Sequence, residues 1–163
     1  MRAFRFSSGV SHFRIFLKYW LPVLVCMAMI FSASSDAHSQ QHSSGIFEPF
    51  LHWLFPKMPQ TEIERIHHGI RKCGHLTEYA ILALLLWRAL NQSKNKLSPW
   101  SWPRFSGALL IVFIYAATDE FHQIFVPGRT PLMSDVFIDT TGGAIGLLAL
   151  WIFHLCRKPK LQK

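Results

Sequence analysis

Four stretches of this chain are apolar for nearly the length of a bilayer crossing, and three of them gather their acidic residues towards one end. A span needs roughly 20 mostly apolar residues. The windows are Ile15 to Ala33, Ile70 to Leu90, Phe105 to Val126 and Asp135 to Cys156. Lys18 and Pro22 interrupt the first. Arg71, Lys72, His75 and Glu78 crowd the first half of the second, Asp119, Glu120, His122 and Gln123 close the third, and Asp135 and Asp139 open the fourth. The 163 residues suffice for one domain, and their 16% charged share falls below the quarter or so that a soluble surface carries. The predicted fold is all-α: a four-helix transmembrane bundle with a short amphipathic helix in the first outer loop.

The basic residues orient these spans. Three groups of four lie on one side: Arg2, Arg5, Arg14 and Lys18; Arg88, Lys94, Lys96 and Arg104; Arg157, Lys158, Lys160 and Lys163. Lys57, Arg65, Arg71, Lys72 and Arg129 are left for the other side, together with every acid of the chain. Both termini are therefore predicted to be cytoplasmic. The organisation reads as a cytoplasmic N-terminus over 1–14, a four-span domain over 15–156 and a basic cytoplasmic tail over 157–163. A net charge of +8 raises the question of nucleic acid, but a nucleic-acid binder gathers its basic residues into one stripe, and here they form a topology signal. The first span has a rival reading as a cleaved signal peptide, with small residues at Ser32 to Ala37. Its 18-residue basic start and near-full apolar length favour a retained helix.

The outer loop, 34–69, opens with serines and is punctuated by Pro49, Pro56 and Pro59. Phe50, Trp53 and Phe55 between the prolines suit a membrane interface. Thr61 with Glu64 matches a capping box, and Ile63, Ile66 and Ile70 recur at helical spacing, so the short helix is placed there.

In this topology three helices of alternating direction put their polar residues at one depth, the outer end. Lys72, His75 and Tyr79 share a helical face, with Glu78 a turn from His75; Asp119 pairs with Gln123 and Asp135 with Asp139 at i, i+4. An ion in mid-bilayer costs at least about 2.5–3.5 kcal/mol, so these side chains should turn into the bundle. Adjacent Asp119 and Glu120 cannot both ionise cheaply there; one of them, or one of Asp135 and Asp139, is expected to hold a proton at neutral pH. The turn Val126-Pro127-Gly128-Arg129 would aim Arg129 over the cluster, where its planar fork suits a carboxylate or a phosphate.

These residues resemble a known family. Ile70 to Tyr79, reading IRKCGHLTEY, then Asp119 to Arg129, reading DEFHQIFVPGR, then Asp135 to Asp139 with Gly142, Gly143 and Gly146, are similar in order and spacing to the VanZ-like membrane proteins. The resemblance covers roughly residues 27 to 153. It implies a small multispan protein of the cell envelope, in a family named for a member that lowers susceptibility to the glycopeptide teicoplanin. The motif positions it carries over are Lys72, His75, Glu78, Tyr79, Asp119, Glu120, Gln123, Arg129, Asp135 and Asp139.

The functional expectation is binding or handling of an anionic lipid headgroup or a lipid-linked envelope precursor by this outer-leaflet cluster, with a link to glycopeptide resistance as the family's contribution. Two alternatives stay open. One is a membrane enzyme acting on a lipid phosphate, with Asp119, Glu120, Asp135 and Asp139 as candidate acid–base groups. The other is an ion-pair network that only fixes helix register. No metal site is assigned and the residues name no cofactor; a divalent ion bridging the acids to a diphosphate is a variant of the binding reading. The partners expected are the bilayer itself and that lipid. Gly142 and Gly146 permit close helix approach, within the chain or, as an alternative, in self-association. Cys26, Cys73 and Cys156 lack the spacing of a zinc site or a disulfide framework.

Overall fold

A computed structural model of the chain describes residues 8–35, 49–92, 100–126 and 131–156. All regular structure among these residues is helical: α1 (Ser8–Tyr19), α2 (Leu21–Ser35), α3 (49–54), α4 (Gln60–Leu90), α5 (Trp102–Gln123) and α6 (Met133–Cys156). The all-α expectation holds. Five predicted features lie outside the described residues: the serine-rich start of the outer loop, Lys94 and Lys96, the Pro127-Gly128-Arg129 turn, the first basic residues and the basic tail.

Helix α4 is the hub, packed most extensively on α6 and also on α5, α2 and α1, while α6 packs on α5 as well and α2 lies against α4 and α5. Glycine makes the α4–α6 approach close. A Cβ added to Gly142 would stand 2.8 Å from Leu76 Cα, and one added to Gly146 would stand 2.9 Å from the Ala80 carbonyl oxygen. Gly143 turns to α5, 3.0 Å from Val112 Cγ1 by the same construction. The Gly-x-x-x-Gly backbone is thus packed inside the chain, on α4. Tyr79, Leu82, Ala83, Leu86, Ala108, Val112, Ala116, Val136 and Leu147 fill the interior between these helices. Outward, Leu110, Ile114, Phe121, Phe137, Ile145 and Ile152 are exposed, more apolar surface than a water-facing bundle presents.

Three details depart from the sequence reading. The first apolar stretch is two helices, α1 and α2, bent by 42°. Pro22 sits just past the break; it has no N–H to offer the Lys18 carbonyl and its ring crowds that oxygen. Helix α2 also continues to Ser35, so the first two residues of the predicted outer loop are helical. Finally, the short amphipathic helix predicted around Ile63, Ile66 and Ile70 is not separate. Those residues form the opening turns of α4, which runs 31 residues without a break. Pro59 is its N-cap, with no side-chain hydrogen bond, so Thr61 and Glu64 fall inside the helix and form no capping box. The short helix between α2 and α4 is α3 instead, where Trp53 is more exposed than Phe50 or Leu54.

By length and composition one helix, Met133–Cys156, can cross a membrane; Phe13–Tyr19 with Leu21–Ser34 makes a second if the bent pair is one span. Helices α4 and α5 reach about 46 and 33 Å at 1.5 Å per residue, against an apolar bilayer core of about 30 Å. They fall short on composition because of their ionisable ends.

Gly142→Ala should force α4 and α6 apart and cost about 1–3 kcal/mol. Gly69→Ala, where no atom stands within 4 Å of the new Cβ, should be neutral or stabilising by up to about 1 kcal/mol. Thermal unfolding of the two variants in detergent checks this; equal midpoints would contradict the packing.

Candidate functional site

At the end of the bundle where α4 begins its second half, α5 ends and α6 starts, the polar residues converge. Lys72 Nζ donates to Asp135 Oδ1 at 3.2 Å, and both side chains are about a third exposed. Ser134 Oγ donates to the same oxygen at 3.3 Å. One turn deeper on both helices, His75 Nδ1 stands 3.8 Å from Asp139 Oδ1. The i, i+3 spacing of Lys72 and His75 on α4 meets the i, i+4 spacing of Asp135 and Asp139 on α6, which lets two rungs form across one close interface.

Helix α5 supplies the buried side of the cluster. Asp119, Glu120 and Gln123 are each under a tenth exposed. The Gln123 amide, through Nε2, donates to Ser34 Oγ at 3.0 Å, to Glu120 Oε1 at 3.2 Å and to Asp119 Oδ2 at 3.5 Å. Glu120 Oε2 accepts the Leu132 backbone N–H at 2.9 Å. That N–H lies at the start of α6, so Glu120 also places negative charge against the positive end of that helix. Both of its oxygens are occupied by structural donors. Burying a carboxylate with such partners is tolerable; without them the desolvation would cost several kcal/mol.

Tyr79 is fully buried, and its hydroxyl has no hydrogen-bond partner among the described residues. The charges of Asp119, Asp139 and Glu120 bear on it. Its ring lies 6.2 Å from that of Tyr115, whose own hydroxyl donates to the Met27 carbonyl at 2.5 Å. Asp139 sits in the field of Asp119, Glu120, Asp135 and Glu78. Glu78, half-buried, is in Coulombic range of Asp119. Of the ten residues named from sequence, nine are therefore brought to one end of the bundle. Arg129 is outside the described residues.

Ser34 was missed. A signal was present: Val23, Ile30 and Ser34 fall at i, i+7, i+11, and all three are buried on one face of α2. The serine-rich composition that follows masked it as loop. His122, beside the acids in sequence, turns instead onto Phe31 with ring centroids 4.4 Å apart. Cys26, Cys73 and Cys156 are free thiols. Among the described residues no three His, Cys, Asp or Glu side chains stand close enough to hold a metal ion.

The opposite end is aromatic. Trp87 stacks on Trp100 at 4.4 Å, and Trp102 and Trp151 complete the cluster, 6.0 Å apart. Arg88 and Lys18 lie over the Tyr19 ring at 5.3 and 5.2 Å, and Arg104 Nη1 donates to Asn91 Oδ1 at 2.6 Å. Tryptophan and basic residues together mark a membrane–water boundary.

The molecule is thus of the helical class with a membrane-length apolar helix, an aromatic–basic end and an interhelical polar network at the other. The chain belongs to the VanZ/LLP1 family, whose sequence profile matches residues 19–154. The association with the cell envelope and with glycopeptide resistance belongs to the family as a whole. No curated protein and no solved structure matches the chain.

Gln123→Leu removes the donor shared by Asp119, Glu120 and Ser34 and should cost about 1–3 kcal/mol or more. Ser34→Ala should cost less, because the amide keeps its carboxylates. Unfolding midpoints in detergent that leave Gln123→Leu as stable as Ser34→Ala would contradict the assigned network.

Proposed function

We propose that the chain is a four-span protein of the cytoplasmic membrane, both termini inside, that holds the phosphate-bearing headgroup of an anionic lipid or a lipid-linked envelope precursor in the polar cluster beneath its outer leaflet. The observation that carries this reading is the grading of the cluster. Its rim, Lys72 with Asp135, is a third exposed, whereas Asp119, Glu120, Gln123 and Asp139 beneath it are buried. A solvent-reaching rim ammonium over a closed floor suits capture of a phosphate at the headgroup level, with Arg129 from the adjoining loop as a second cation.

Depth supports the placement. About 25 Å of α5 axis separates Trp102 from Asp119, and about 18 Å of α6 separates Asp139 from Trp151, at 1.5 Å per residue. With the aromatic end at the inner interface, both distances put the acids short of the far side of an apolar core about 30 Å thick. Helices α4 and α5 are then spans whose charges face inward, which is why they look too polar by composition. In a resistant cell such a protein would hold a precursor or limit a glycopeptide's access to it.

A second reading, the network as scaffold, is favoured by the full occupation of the Glu120 oxygens. One experiment separates the two. Native mass spectrometry of the detergent-purified chain should show a co-purifying phosphate-bearing lipid, lost by about tenfold in Lys72→Ala and Arg129→Ala at unchanged folded yield. Turnover of that lipid, abolished by Asp119→Asn, would make the protein an enzyme. Loss of folded yield alone, with no lipid in the parent chain, would leave only the scaffold.

A further inference from the structure

We infer that the floor of the cluster is a site for an alkylammonium group, formed by the Asp139 carboxylate and the Tyr79 hydroxyl, so that the favoured headgroup carries an amine beside its phosphate. The inference rests on the headgroup reading above and names the ligand's chemistry more narrowly.

The rim ammonium of Lys72 is taken up by Asp135, a solvent-reaching pair that water screens and that is therefore easily exchanged for a phosphate. Beneath it, Asp139 stands in the field of four carboxylates, those of Asp119, Glu120, Asp135 and Glu78. A bare anion pushed to that depth would meet repulsion. A cation would be drawn in, and His75, 3.8 Å from Asp139, is the titratable group of α4 that competes for the place.

Tyr79 supplies the independent observation. Its fully buried hydroxyl has no hydrogen-bond partner among the described residues, which leaves a desolvated polar group unsatisfied, and it stands in the field of Asp119, Asp139 and Glu120. Its oxygen can accept an N–H from an ammonium while Asp139 accepts another. Ligand size follows from spacing. Asp139 lies one turn below Asp135, about 6 Å along α6. That is the separation a two-carbon link between phosphate and amine can bridge, with the phosphate at Lys72 and the headgroup turned into the bundle.

The test uses the full chain in detergent with phosphatidylethanolamine, phosphatidylglycerol of the same acyl chains, and free ethanolammonium. Native mass spectrometry should show phosphatidylethanolamine retained over phosphatidylglycerol by about tenfold, the effect of one charge-assisted hydrogen bond. Asp139→Asn and Tyr79→Phe should erase that preference and keep phosphatidylglycerol binding, whereas Lys72→Ala should weaken both lipids. Tyr79→Phe removes a hydroxyl with no hydrogen-bond partner among the described residues, so it keeps the fold if Asp139→Asn does not. Equal retention of the two lipids, or a preference that survives in Tyr79→Phe, overturns the ammonium site and leaves the headgroup reading intact. Ethanolammonium that stabilises the chain in an Asp139-dependent way, with neither lipid retained, upholds the cation site and removes its lipid source. No response to any of the three overturns both.

Discussion

Charge is expensive in a medium that cannot solvate it, and this chain places five carboxyls on three helices with otherwise apolar faces. Left against lipid, each would cost at least about 2.5–3.5 kcal/mol at mid-depth. The same residues turned inward become the contacts that set the bundle. Lys72 with Asp135 and His75 with Asp139 fix α4 against α6 at two successive turns. Gln123 gathers Asp119, Glu120 and Ser34, so α5 and α2 are tied in by one amide. Register and depth are consequences of the same requirement.

Close approach makes the pairing geometry reachable. Without side chains at Gly142 and Gly146, α6 lies directly on the α4 backbone at Leu76 and Ala80. These contacts continue, one turn further along α6, the face that Asp135 and Asp139 present to Lys72 and His75. Apolar packing and polar pairing therefore share an interface. Glu120 joins the two functions on α5: it accepts from Gln123 and caps the start of α6 through Leu132. A residue that reads as a catalytic candidate in sequence is here a structural acceptor at both oxygens, while Asp139 and Tyr79 keep the capacity to meet something else.

Much of this was legible in the residues themselves. The periods of three and four placed Lys72, His75 and Tyr79 on one face, and Asp135 with Asp139 on another, because helical spacing is local and the cost of exposure is general. What escaped the sequence depended on backbone geometry or on partners far along the chain. Pro22 reads as an interruption within one span, whereas the chain breaks there into two helices bent by 42°, because its ring crowds the Lys18 carbonyl. Thr61 and Glu64 have the spacing of a cap, but Pro59 fixes the helix start earlier. Ser34 acquires its role only from Gln123, eighty-nine positions away. His122 has acids as neighbours in sequence, yet its ring settles on Phe31.

The central claim is that α4 and α6 meet at Lys72 and Asp135 on the outer side of the membrane. Paired cysteines decide it most directly: Lys72→Cys and Asp135→Cys together, in a chain with Cys26, Cys73 and Cys156 replaced by serine, expressed in intact cells. The expected result is a disulfide under mild oxidation and, after reduction, labelling of both thiols by a membrane-impermeant reagent added outside. Labelling confined to inverted vesicles, or two accessible thiols that never join, would contradict the account.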